Sequence, residues 1–175
     1  LKAALLGSIA GAIQLKPENI FAGESASAPG KNDLVAVMGG DPVTMYKKGI
    51  TAMGGISRFV KKGQKVVVKP NIGWDKKPEL AANTNPLLVA AIVKDCLAAG
   101  ASEVVVFDHT CDEWQACYKN SGIEDAAKAA GAKIGYAHDE KYYKNVNLPD
   151  GVRLKSTKIH ESIIDCDVWI NVPVL

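Results

Sequence analysis

The chain has 175 residues, 47% of them apolar and 23% charged, with a formal net charge of +2. That balance suits one compact globular domain and excludes wholesale disorder, collagen-like repeats and a disulfide-dense miniprotein. The positive charge is almost all lysine, with Arg58 and Arg153 as the arginines, so the basic footprint of a nucleic-acid binder is missing and no nucleic acid is expected as a partner.

In chain order, residues 1–15 (LKAALLGSIAGAIQL) carry one lysine and then an apolar, Ala- and Gly-rich run too short to span a membrane. The next stretch, to Asp33, is polar and rich in Gly, Ser, Ala and Pro. Together they predict a leader-like segment and linker over residues 1–32, and hence export to the periplasm or cell envelope. Ala26-Ser27-Ala28 has the A-x-A processing pattern, although Pro29 follows it directly, and Phe21-Ala22 is a second candidate. The competing reading is an amphipathic helix packed on the domain.

From Asp33 onward, apolar runs alternate with helical spacing. Strands are predicted near 34–38, 65–69, 103–107, 133–137 and 168–172. Helices are predicted over 43–60, 86–99 and 123–130, with a short one over 162–166. Asn85 can cap the helix that opens at Pro86, and Gly100 ends it. Residues 145–158 read as a hairpin turned by Pro149-Asp150-Gly151. Strands that are continuously apolar, separated by helices, predict an α/β domain over 33–175. It is a mostly parallel sheet with helices on both faces, a Rossmann-like three-layer sandwich. The sequence stops directly after its last strand, so the domain is expected to be incomplete at the carboxyl end.

In such sheets, ligands bind beyond the carboxyl ends of the strands. Lys69 ends one strand, where an ammonium can hold a carboxylate or phosphate, and Asn71 beside it offers a donor and an acceptor. Asn83, Thr84 and Asn85 precede a helix start, which favours an anion, although plain capping explains that triplet without any ligand. Asp108 and His109 follow the third apolar strand and are candidates for proton or metal chemistry; the alternative is a turn-capping Asp and a solvated His. Lys69, Asn71, Asn83, Asp108 and His109 are expected to converge on one cleft, with a small anion as its occupant. Lys69→Ala is expected to weaken the anion far more than the fold. Gly39-Gly40 forms neither a dinucleotide fingerprint nor a Walker loop.

Cys111 and Cys117 lack the CxxC spacing of zinc ribbons and supply half of a four-thiolate cluster at most. In an oxidising compartment they could pair, or they could be unrelated. Cys96 and Cys166 sit in apolar surroundings, and His138 and His160 have no motif around them.

The strings VVVKPNIGWD, AANTNPLLVAAIV, VVVFDHTCDEW and INVPVL resemble the domain-of-unknown-function family 362, from about Asp33 to Leu175. Lys69-Pro70-Asn71 and Asn83-Thr84-Asn85-Pro86 are the most specific parts of the resemblance. It implies a twin-arginine leader in many members, of which Leu1-Lys2 would be the tail. It also implies fusion of some members to iron–sulfur modules, so a metal or iron–sulfur cofactor enters by resemblance alone. Family members continue into a Lys-Thr-His segment and further helices, and this sequence is expected to cover the amino-terminal part. The leading functional expectation is an exported α/β protein with an anion or metal site, with redox or metal-assisted catalysis as its reaction class. The alternative is a non-catalytic module docking on an envelope or redox protein.

Overall fold

The computed structural model describes residues 32–174; the leader-like segment lies outside them. The first regular element is α1 (Pro42–Ala52), which Asp41 opens by accepting from the Val43 and Thr44 N–H groups. A βαβ unit follows: β1 (Lys65–Pro70), α2 (Pro86–Ala98) and β2 (Glu103–Val106). Next come α3 (Trp114–Asn120), α4 (Ile123–Ala129) and the short β3 (Lys133–Ile134). An antiparallel hairpin of β4 (Tyr143–Asn147) and β5 (Ser156–His160) leads through the single-turn α5 (Glu161–Ile164) to β6 (Val168–Val172).

The main sheet is parallel, in the order β3-β2-β1-β6. Its register sets Val68 opposite Val106 on one side and opposite Ile170 on the other. β1 is buried on both faces, as its valine run requires. Val66 and Val68 point with Val104 and Val106 into the larger core, against Val89, Val93 and Cys96 of α2 and Ile123 and Ala127 of α4. Val67 and Phe107 face the opposite way, onto a smaller cluster with Ala137, Tyr143, Ile163 and Cys166. The second face is therefore covered by the hairpin and α5. The α/β architecture with a parallel sheet is the one the apolar runs predict.

One predicted strand is absent. Residues 34–38 are irregular, with Leu34 88% and Met38 73% exposed. The segment hydrogen-bonds no strand; Val37 instead packs beside Gly49 of α1. Residues 43–60 divide into α1 and a 3-10 turn (Ile56–Arg58), because Gly54 and Gly55 adopt positive φ between them. Residues 133–137 pair only over Lys133–Ile134. α3 is an element the apolar pattern does not announce; Glu113 opens it by accepting from the Ala116 N–H.

The chain order places the ligand edge. β1, β2 and β3 run outward in one direction, and the return crossover sets β6 on the other side of β1. The reversal lies between the carboxyl ends of β1 and β6, the place where open α/β sheets leave a crevice.

Candidate ligand-binding site

A cleft of about 430 Å³ occupies that crevice. Lys69, Pro70 and Asn71 form its β1 side, Asn171, Pro173 and Val174 its β6 side, and Trp74 and Ala82 complete it.

Lys69 emerges one residue beyond Val68, and Asp108 two residues beyond Val106, the partner of Val68. The neighbouring strands therefore deliver the two side chains to each other, with Lys69 Nζ 2.5 Å from Asp108 Oδ1. The Asp108 side chain is 6% exposed and that of Lys69 is 32% exposed. The second carboxylate oxygen, Oδ2, accepts from the Ile72 N–H at 2.8 Å. Both oxygens of the buried acid are thus engaged, as burial of a charge demands. The carboxylate takes one of the three ammonium donors and holds the charge at the cleft wall.

The Asp108 peptide is fixed from behind. The Tyr118 hydroxyl accepts from the Asp108 N–H at 2.8 Å and lies within donating distance of the carbonyls of Asp108 and Gly135. Burial, with Asp108 nearby, pushes the Tyr118 phenol far above its ordinary range, so it remains a neutral donor and acceptor.

Lys69 and Asn71 line the cleft, whereas Asn83, Thr84 and Asn85 do structural work around it. The Asn71 N–H donates to Thr84 Oγ1, and its Nδ2 donates to the Ala82 carbonyl. The Thr84 hydroxyl in turn donates to the Val172 carbonyl at 2.7 Å, stitching the β1 loop to the end of β6. Asn83 is buried, and its amide brackets the backbone of Trp74. Asn85 accepts from the Leu87 and Leu88 N–H groups, so the opening of α2 is capped by its own side chain. His109 is exposed, its ring 6.5 Å from that of Tyr143, and is not among the cleft-lining residues. Of the five residues expected to converge, Lys69 and Asn71 line the cleft and Asp108 reaches it through Lys69, whereas Asn83 and His109 are not among its lining residues.

Pro70, Trp74, Ala82, Asn171, Pro173 and Val174 are the lining residues that sequence reasoning missed. Asn171 had a signal: it ends an apolar strand, as Lys69 does.

The four cysteines, at 96, 111, 117 and 166, are free thiols. Cys111 and Cys117 both approach Gly73: the Cys111 N–H and, at 3.6 Å, the Cys117 thiol reach its carbonyl oxygen. Among the described residues, no three His, Cys, Asp or Glu side chains gather as a metal site. Nor is any described helix long and apolar enough to cross a membrane.

The thylakoid-associated protein sll1697 of Synechocystis sp. (strain ATCC 27184 / PCC 6803 / Kazusa) is 25% identical over 123 residues, covering 70% of this chain. The match spans only 37% of that relative's length. No solved structure matches the chain. The model of one family, domain of unknown function DUF362, matches residues 66–175, from the start of β1 past the end of β6. That is well over half of the chain and includes every residue of the cleft, and the chain belongs to the DUF362 family.

Proposed function

We propose that this is a small-molecule-binding α/β module whose ligand carries an oxyanion, received by Lys69 in the cleft between β1 and β6. The observation that carries the reading is the placement of Lys69, held by Asp108 from the end of β2, on the wall of the cleft where strand order reverses between β1 and β6. A buried carboxylate fixes the ammonium, and Asn71 and Asn171 line the same cleft. A point charge with amide neighbours suits a carboxylate or a phosphate. In this reading Asp108 is a positioning residue, because its oxygens are already taken by Lys69 and Ile72.

Calorimetric titration with inorganic phosphate and with acetate tests the proposal. Binding is expected for at least one of them and should weaken as salt is raised. Asn171→Asp, on the exposed wall, should reduce it by charge repulsion. The paired change Lys69→Met with Asp108→Asn, which removes both charges together, should abolish it. Oxyanion binding that survives the paired change would overturn the reading.

The lysine-led apolar run of residues 1–15 and the small-residue linker after it support export to the cell envelope. Fractionation of the native host, with amino-terminal sequencing, tests this. Recovery in the cytoplasm with the segment intact would count against it.

A further inference from the structure

We infer that the ligand of the cleft is a planar aromatic ring bearing the oxyanion, with the ring stacked on Trp74; this rests on the reading of the cleft as an oxyanion site. Trp74 lines the same cleft as Lys69 and remains 45% exposed. An indole left in water forgoes burial that its size would make favourable. The main chain that carries it is nevertheless held firmly. The buried Asn83 amide accepts from the Trp74 N–H at 3.0 Å and donates to its carbonyl at 2.8 Å. The same Nδ2 reaches the Lys76 carbonyl at 3.3 Å, and the Asp75 N–H donates to Asp112 Oδ2 at 3.0 Å. The loop is thus pinned on both sides of the indole, with entropy lost before any ligand arrives, which is the arrangement of a preorganised stacking surface.

The rest of the cleft fits the same ligand. Pro173 and Val174 give an apolar flank for a ring, while Lys69, Asn71 and Asn171 gather the polar atoms. A volume of about 430 Å³ lies within the range of pockets that take small organic ligands and far exceeds what a bare oxyanion fills. An exposed aromatic face on a pinned loop, an apolar flank and one ammonium describe a ring acid, either an aromatic carboxylate or a nucleoside monophosphate.

Matched probes separate these sources and test the inference by calorimetry on the full chain. Adenosine monophosphate is compared with inorganic phosphate, and benzoate with acetate. In at least one pair the ring-bearing probe should bind about tenfold more tightly than its ring-free partner. Trp74→Leu should remove that advantage, so that the two members of each pair bind alike, and Trp74→Phe should keep much of it. Equal binding within both pairs, or a ring preference untouched by Trp74→Leu, overturns the stacking inference and leaves the oxyanion site standing. Failure of all four probes overturns both. The comparison within wild-type protein holds even if a variant folds poorly.

Discussion

The Asn83 side chain closes a two-bond ring on the Trp74 peptide, accepting from its N–H at 3.0 Å and donating to its C=O at 2.8 Å. Among the described residues, no other side chain is bonded to both backbone groups of Trp74. Asn83→Ala should therefore leave the part-buried Trp74 N–H without a partner, while the C=O keeps the Lys76 N–H at 2.8 Å, and destabilise the fold by about 1 kcal/mol. Asn83→Asp keeps the acceptor and loses the donor, so it should fall between wild type and Ala. Chemical denaturation measures the first effect. Fluorescence anisotropy of Trp74, in a variant lacking the other two tryptophans, should show greater motion of the indole.

Lys69→Ala should be costly to the fold as well as to the ligand. The sequence alone suggests an exposed lysine of little structural weight. In the structure its loss strands a buried carboxylate with the Ile72 N–H as its remaining partner. Breaking a fully buried pair costs roughly 3–5 kcal/mol, and the one-third exposure of Lys69 lowers the expectation to about 1–3 kcal/mol. Adding Asp108→Asn should recover part of that loss. A double-mutant cycle in urea measures the coupling, and strictly additive effects would contradict it.

Alkaline pH should weaken the protein from about pH 9 upward. Burial, reinforced by Asp95, pushes the Cys96 thiol up from its ordinary 9.0 to about 11. A raised pKa means that the neutral form is favoured in the folded state. Its contribution is complete below pH 9 and is lost as pH climbs through about 11, because the unfolded chain ionises first. Tyr46 and Tyr118, also raised mainly by burial, act with the same sign above their ordinary 10.0. Urea midpoints should be flat near neutrality and fall steeply at high pH. Cys96→Val should remove on the order of 2 kcal/mol of that dependence.

Thiol labelling should proceed in order of exposure. Cys111 is exposed, Cys166 half-buried, and Cys96 and Cys117 fully buried. Burial, with the nearby acidic groups of Asp112, Asp75 and Glu113 adding to it, also raises the Cys117 thiol, which slows attack further. An aromatic disulfide reagent should modify one thiol quickly, a second slowly, and the remaining two only after denaturation. Fewer than four reactive thiols without reductant would reveal a disulfide.

The central strands were legible because a valine run buried on both faces has few alternatives, and α2 because Asn85, Pro86 and Gly100 mark its ends. Residues 34–38 have the same apolar character and form no strand, because strand formation needs a partner as well as composition. α3 escaped notice because WQACYKN buries only Cys117 and Tyr118, too few positions to show a helical period. At the site, Lys69 and Asn71 were visible from the rule about strand ends. The Lys69–Asp108 pair was not, since it depends on β1 lying next to β2 in one register. Trp74 was hidden likewise, because its presentation depends on Asn83, nine residues away in the chain.

The Thr84 hydroxyl bond to Val172, across 88 residues, has a kinetic meaning. One wall of the cleft belongs to residues 69–74 and the other to residues 171–174, so the βαβ unit can assemble Lys69 and Asp108 while the pocket itself does not yet exist. The pocket comes into being only when the last strand inserts beside β1, a closure over most of the chain that carries a high loop entropy and is intrinsically slow. Recovery of ligand binding during refolding should therefore lag behind recovery of helical signal. A bound ligand would act as a clasp on the last strand, selectively slowing its detachment.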